Sequence, residues 1–173
     1  MKMKISGYTL REAIKEQTLR SSSAASGFDQ TLRAYPSEKG KKDLPQTVVD
    51  RFVEAEIAVA RLQTVQSQYN LQVQVNYEGS SITLTQAIKM IGGLARAEKM
   101  WRSVASPKKD RYYSDPDRDR DPTREHTEPQ ITQSEATKLS SQLARKAGRL
   151  RAAIATANAT ELDFDPALLE CLG

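Results

Sequence analysis

From Thr47 to about Asn70 the chain keeps apolar residues at helical spacing for roughly 24 residues, with Val49, Phe52, Val53, Ile57, Ala60 and Leu71 on one face. Asp50, Arg51, Glu54 and Arg61 fall on the other face. At 1.5 Å per residue such a helix spans roughly 36 Å. That is long for a chain of 173 residues, and it points to an elongated hairpin or coiled coil. Aromatic residues make up only 6% of the chain and hydrophobic residues 38%, so the core has to be built from aliphatic side chains and alanine along narrow seams.

The heptapeptide from Thr9 to Lys15 returns from Thr83 to Lys89, identical at five of seven places. Each copy has the form of a capping box: Thr9 or Thr83 accepts a first-turn N–H, and Glu12 or Gln86, three residues on, reaches back to the cap's own N–H. Tyr8 and Ile82 precede the caps, where an apolar residue staples the chain entry onto Ala13 or Ala87. The spacing therefore predicts helices starting near Thr9 and Thr83.

Leu10, Ala13 and Ile14 lead the first helix, and Phe28, Leu32 and Tyr35 continue it at i, i+4, i+7. Ser21-Ser22-Ser23 and Gly27 weaken its middle, which leaves one long helix or two short ones. Pro36 to Pro45 reads as a loop. Beyond Asn70, Leu71, Val73, Val75 and Tyr77 alternate with polar residues, the pattern of a short strand or of a helix running on. Glu78-Gly79-Ser80-Ser81 turns the chain into the helix capped at Thr83, whose apolar stripe runs from Leu84 through Trp101 to Val104. Gly92-Gly93 within it costs helix stability, and close backbone packing is the expected reason. The last helix starts near Thr132 or Ser134, with Leu139, Leu143, Ala147, Leu150 and Ile154 on one side. Leu168, Leu169 and Leu172 read as a short apolar clasp that docks the tail.

Residues 107–129 differ from the rest: four of the seven prolines stand there among six Lys or Arg and seven Asp or Glu. We read 107–130 as a charged arm inside a single helical domain covering 1–173, too long for an ordinary helix connection. Counted from Asp117, its acids occupy several ligand positions of a calcium-binding EF-hand loop, but Pro122 stands where that loop needs a glycine with positive φ. The one histidine, His126, lies in the arm, and Cys171 is the one cysteine, so a cysteine-based zinc site lacks ligands. Ser106-Pro107-Lys108-Lys109 has the Ser-x-x-Lys spacing without its companion motifs. No phosphate loop, dinucleotide fingerprint or nucleophile elbow is present, so the reading is non-enzymatic with no cofactor.

Charge supplies the competing class. Lys138, Arg145, Lys146, Arg149 and Arg151 stand in a stretch from Ala136 to Thr160 that holds no acid, and Lys138, Arg145 and Arg149 share a face. That face can follow a phosphate backbone with strongly salt-dependent binding, though no aromatic residues interleave as they do in single-strand binders. Lys89, Arg96, Lys99 and Arg102 give the helix from Leu84 an interfacial composition, but core packing accounts for its apolar side. No stretch is apolar enough for a membrane span, the N-terminus lacks a signal-peptide core, and the lone cysteine suits a reducing compartment, so the expected location is the cytoplasm.

Gly79 through Ile88, and Asn158-Ala159-Thr160-Glu161-Leu162, resemble a family of small bacterial all-helical proteins labelled septicolysin-like. There a Gly-x-Thr-Leu-x-x-Ala motif opens the central helix and an Asn-x-Thr-x-Leu ending closes the last one. The likeness covers 47–106 and 131–162. It implies an all-α bundle of long antiparallel helices that self-associates; the cytolysin label is not transferred. The chain departs from the pattern where Ile91-Gly92-Gly93-Leu94 stands in place of an Arg-Asp pair. The combined expectation is an all-α protein, an elongated antiparallel helical bundle or coiled-coil hairpin with a long charged arm between its last two helices. It is expected to act as a homo-oligomer or protein-interaction partner, with nucleic-acid binding as the alternative.

Overall fold

The computed structural model describes residues 2–33, 35, 40, 43–106 and 130–168, apart from the side chain at 168. The arm at 107–129, with its EF-hand-like acids, His126 and the end of the Ser-x-x-Lys run, lies outside the described residues, as do Leu169, Cys171 and Leu172. The described chain is mostly helical. In order it forms β1 (Met3–Ser6), α1 (Gly7–Thr31), α2 (Pro45–Gln72), β2 (Gln74–Tyr77), β3 (Ser80–Thr83), α3 (Leu84–Ala105), α4 (Gln133–Asn158), β4 (Glu161–Phe164) and a 3₁₀ turn at Pro166–Leu168. The strands form two small antiparallel sheets, β1 with β4 and β2 with β3, which corrects the purely helical expectation. Two compact units emerge: Met1–Ala87 with Ala153–Gly173, and Ile88–Ala152.

In the first unit α1 and α2 form an antiparallel pair, since Gly7 lies against Tyr69 while Ser21 bonds Glu56. On α1 the buried and half-buried residues Gly7, Leu10, Ile14, Gln17, Ser21, Ala24, Phe28 and Thr31 follow one another in alternating steps of three and four. Val48, Phe52, Ala55, Val59, Leu62, Gln66 and Tyr69 do the same on α2, with Val65 also buried. That spacing keeps one narrow stripe of each helix turned inward. The α1 stripe has small or polar residues at its middle. Ser21 meets its polar need by donating its hydroxyl proton to the Glu56 carboxylate, so burial there leaves no unpaired group. Between the two sequence alternatives for α1 the continuous one is found: the serines and Gly27 sit inside one helix.

The ends of this unit are closed by the sheets. Ile5 is paired with Leu162 and Met3 with Phe164, and Ile5 and Phe164 are buried. Lys4 stands opposite Asp163 on the other face, a cross-strand pairing of unlike charge. Residues 161–164, for which no strand was expected, complete a sheet with the N-terminus, and the side chains of the leucine clasp at Leu168, Leu169 and Leu172 lie outside the described residues. β2 and β3 are joined by Glu78 and Gly79 alone, at φ 48° and 81°, the two positive φ values of a type I′ hairpin turn. Of the two options left open past Asn70, α2 runs on to Gln72 and the strand begins at Gln74. Val73, Val75, Leu84 and Ala87 are buried, which seats the hairpin and the entry to α3 at the end of α2.

In the second unit α4 buries Ala136, Ser140, Ala147 and Leu150, while α3 buries nothing after Ala87. The expected close packing at Gly92-Gly93 is not found: a Cβ built on Gly93 meets no described atom within 4 Å, and one on Gly92 meets only the Arg96 side chain at 3.5 Å.

Candidate functional site

The residues that the 3.6-residue period placed on the core face of α2 are largely the ones left outside. Val49, Val53 and Ile57 are 38%, 46% and 48% exposed, Leu71 is 60% exposed, and Ala60 is exposed as well. Phe52 alone of that group joins the inner seam, half-buried. The physical reason is that α2 has two aliphatic stripes, one through Val48, Ala55 and Leu62 and one through Val49, Val53 and Ile57, while α1 offers one narrow stripe to receive either. The inner one is chosen because Ala55 fits against the small middle of α1 and because it puts Tyr69 beside Gly7. The outer stripe, at i, i+4 and i+8, is a continuous apolar ridge. Its exposed part amounts to on the order of 200 Å², or about 5 kcal/mol per copy if it were fully covered.

One rim of the ridge carries Asp50, Glu54 and Arg61, all exposed. Asp50 accepts a hydrogen bond from Gln46 Nε2 at 2.8 Å, whereas Glu54 and Arg61 have no partner among the described residues. On that side an open groove of about 1060 Å³ runs between α1 and α2. Ala24, Gly27, Ala55 and Ala58 make its walls low, Leu19 stands at its lip 60% exposed, and ion pairs Arg20–Glu16 and Arg51–Asp43, each at 2.6 Å, mark its edges. Both pairs are exposed, so they shape the surface more than they stabilise it.

A second constellation fixes the termini. The Tyr69 hydroxyl lies 2.7 Å from the Thr160 carbonyl oxygen and 3.1 Å from that of Ala157, and donates its proton to them. Gly7 passes beneath the ring, where a Cβ would come 2.8 Å from Tyr69 Cε1 and closer still to Asn158 Oδ1. Asn158 Nδ2 in turn donates to the Ile154 carbonyl at 3.0 Å. Burial pushes the Tyr69 phenol above its ordinary pKa; the Gly7 backbone N–H works against this, and the nearby Tyr8 adds to it. This group ties the chain ends to the helical pair.

Of the residues singled out from sequence, Thr83 and Gln86 are reciprocally bonded, Thr83 N–H to Gln86 Oε1 at 2.9 Å and Gln86 N–H to Thr83 Oγ1 at 3.2 Å, with α3 starting at Leu84. At Thr9 the expectation is corrected. The helix starts one turn earlier, capped by Ser6, whose Oγ accepts the Thr9 N–H at 3.2 Å, because pairing of β1 with β4 ends at Ser6. Thr9 and Glu12 then lie inside the helix, where Glu12 has no cap N–H to reach. A third box was missed although Thr-x-x-Glu was there to read: Thr132 and Glu135 bond reciprocally at the start of α4, and the Thr132 N–H and hydroxyl hold the Glu135 carboxyl below its ordinary pKa.

Lys138, Arg145, Lys146, Arg149 and Arg151 are all exposed on α4. Lys138, Arg145 and Arg149 lie opposite the buried Ala136–Leu150 stripe, whereas Lys146 and Arg151 fall on its two flanks. The five therefore do not form one face. Among the described residues no group of three or more His, Cys, Asp or Glu is placed to hold a metal ion, and no helix is long and apolar enough to cross a membrane. No family model matches the chain, and no curated protein or solved structure matches it either.

Proposed function

We propose that this protein works by association: it is a non-enzymatic helical protein that self-assembles or binds a protein partner, with the outer face of α2 as its contact surface and the α1–α2 pair acting as a coiled-coil hairpin. The observation that carries this reading is the ridge of Val49, Val53 and Ile57 left exposed beside an inner seam that is already filled. A continuous apolar ridge rimmed by charge is the form a helix-to-helix contact takes; at ~200 Å² it is smaller than the patches that mark an interface by area alone. The resemblance to septicolysin-like proteins implies the same behaviour.

Light scattering at low and high salt tests it. A mass of at least twice 19.3 kDa that resists salt, and that falls in a Val53→Glu/Ile57→Glu variant with unchanged helical circular dichroism, is the expected result. A wild-type monomer refutes self-assembly, and an associating variant with unaltered mass refutes the outer face of α2 as the contact surface. The second reading, nucleic-acid binding, is favoured only by the exposed face of Lys138, Arg145 and Arg149, and it requires salt-sensitive binding that Arg145→Gln/Arg149→Gln abolishes.

A further inference from the structure

The outer ridge of α2 has a charge pattern that is complementary to itself. Val53 and Ile57 are equidistant from Ala55, and so, to within one residue, are Asp50 and Arg61. Turn a second α2 antiparallel about a two-fold axis passing at Ala55, and Val53 of one copy faces Ile57 of the other, twice. The same rotation keeps each rim on its own side, because a two-fold axis perpendicular to both helices exchanges their ends but not their flanks. At 1.5 Å of rise per residue, Arg61 of one copy and Asp50 of the other then stand within about 2 Å of the same height on one rim. Glu54 follows about one turn further on, towards the middle of the contact. The opposite rim carries Glu56 close to the axis, where two copies would repel, but its carboxylate is bonded by the Ser21 hydroxyl and so drawn toward α1. Arg61 and Glu54, without partners among the described residues, gain them in the pair.

We propose that the occupant of this face is a second copy of the same helix, packed antiparallel across a two-fold axis at Ala55, with Val53 against Ile57 and Arg61 against Asp50 and Glu54 of the partner copy. The inference rests on the self-association proposed above and adds its geometry. Both are tested by sedimentation equilibrium of the full chain together with disulfide trapping. Arg61→Glu should weaken the dimer by at least about tenfold, by setting like charges against each other, and adding Asp50→Arg in the same chain should restore most of it. In a Cys171→Ser background, Val53→Cys/Ile57→Cys should oxidise to a covalent dimer, since facing Cα atoms of helices 8–10 Å apart fall within disulfide reach. An associating wild type whose mass ignores the charge reversal, and whose cysteine variant stays uncrosslinked, overturns this geometry while leaving self-association by another face intact. A wild type that is monomeric throughout overturns both.

Discussion

Removing a single oxygen, Tyr69→Phe, isolates one of the links that join the end of α4 and the start of β4 to the helical pair, beside the β1–β4 pairing and the Tyr8 hydroxyl bond to the Ala155 carbonyl. The ring stays, so packing against Gly7 is kept; what goes is the proton shared between the carbonyls of Thr160 at 2.7 Å and Ala157 at 3.1 Å. The Ala157 carbonyl retains the Thr160 N–H at 3.1 Å, so the groups that lose a partner are the Thr160 carbonyl and the Gly7 backbone N–H, which bonds the phenol oxygen. A neutral hydrogen bond contributes about 1 kcal/mol net, and a carbonyl left short of a donor adds to the loss in proportion to its burial. Thr160 is exposed, so water takes up part of that role and the expected cost is about 1–2 kcal/mol. Urea unfolding of wild type and variant measures it, the midpoint falling with the slope unchanged. Because the lost bond lies one residue before β4, amide exchange at Met3–Ser6 and Glu161–Phe164 should accelerate more than in the middle of α1 or α2. A cost below about 0.3 kcal/mol with exchange unchanged at both strands would refute the reasoning, because it would mean water serves these carbonyls as well as Tyr69 does.

The same phenol has a pH signature. Its pKa is raised in the folded chain, so its share of stability is complete below the ordinary tyrosine value of 10.0 and is lost as pH rises through the folded value; Tyr69→Phe should flatten that alkaline loss in a pH series of urea melts. Glu135 behaves in the opposite sense, its lowered pKa giving stability above the ordinary value of 4.5 that is lost as pH falls through the folded one, and Glu135→Gln should remove that acid dependence in melts of α4 helicity. Gly7→Ala should cost about 1–3 kcal/mol by thermal melting, since the added methyl meets Tyr69 and Asn158 with no room to move away. Gly93→Ala should instead raise stability by about 1 kcal/mol, as nothing within the described chain approaches that position; a loss would show that the space is needed.

How much was legible follows the range of the forces involved. The helices from Pro45, Leu84 and Gln133, the box at Thr83 and the turn at Glu78-Gly79 are written locally, because caps, period and positive φ are set by neighbours within four residues. The site was half legible. Val49, Val53 and Ile57 are plain in the sequence as an apolar stripe, but the period cannot say which of two stripes on α2 faces inward. Tertiary structure decided that through α1, whose seam of Ser21, Ala24 and Gln17 takes the stripe carrying Ala55 and turns the other outward. Pairing of Met3–Ser6 with Glu161–Phe164 was likewise beyond local reading, since each is a four-residue segment that becomes a strand only when the ends of the chain meet. From that meeting came the cap at Ser6 in place of Thr9, and the need for glycine at position 7 beneath Tyr69.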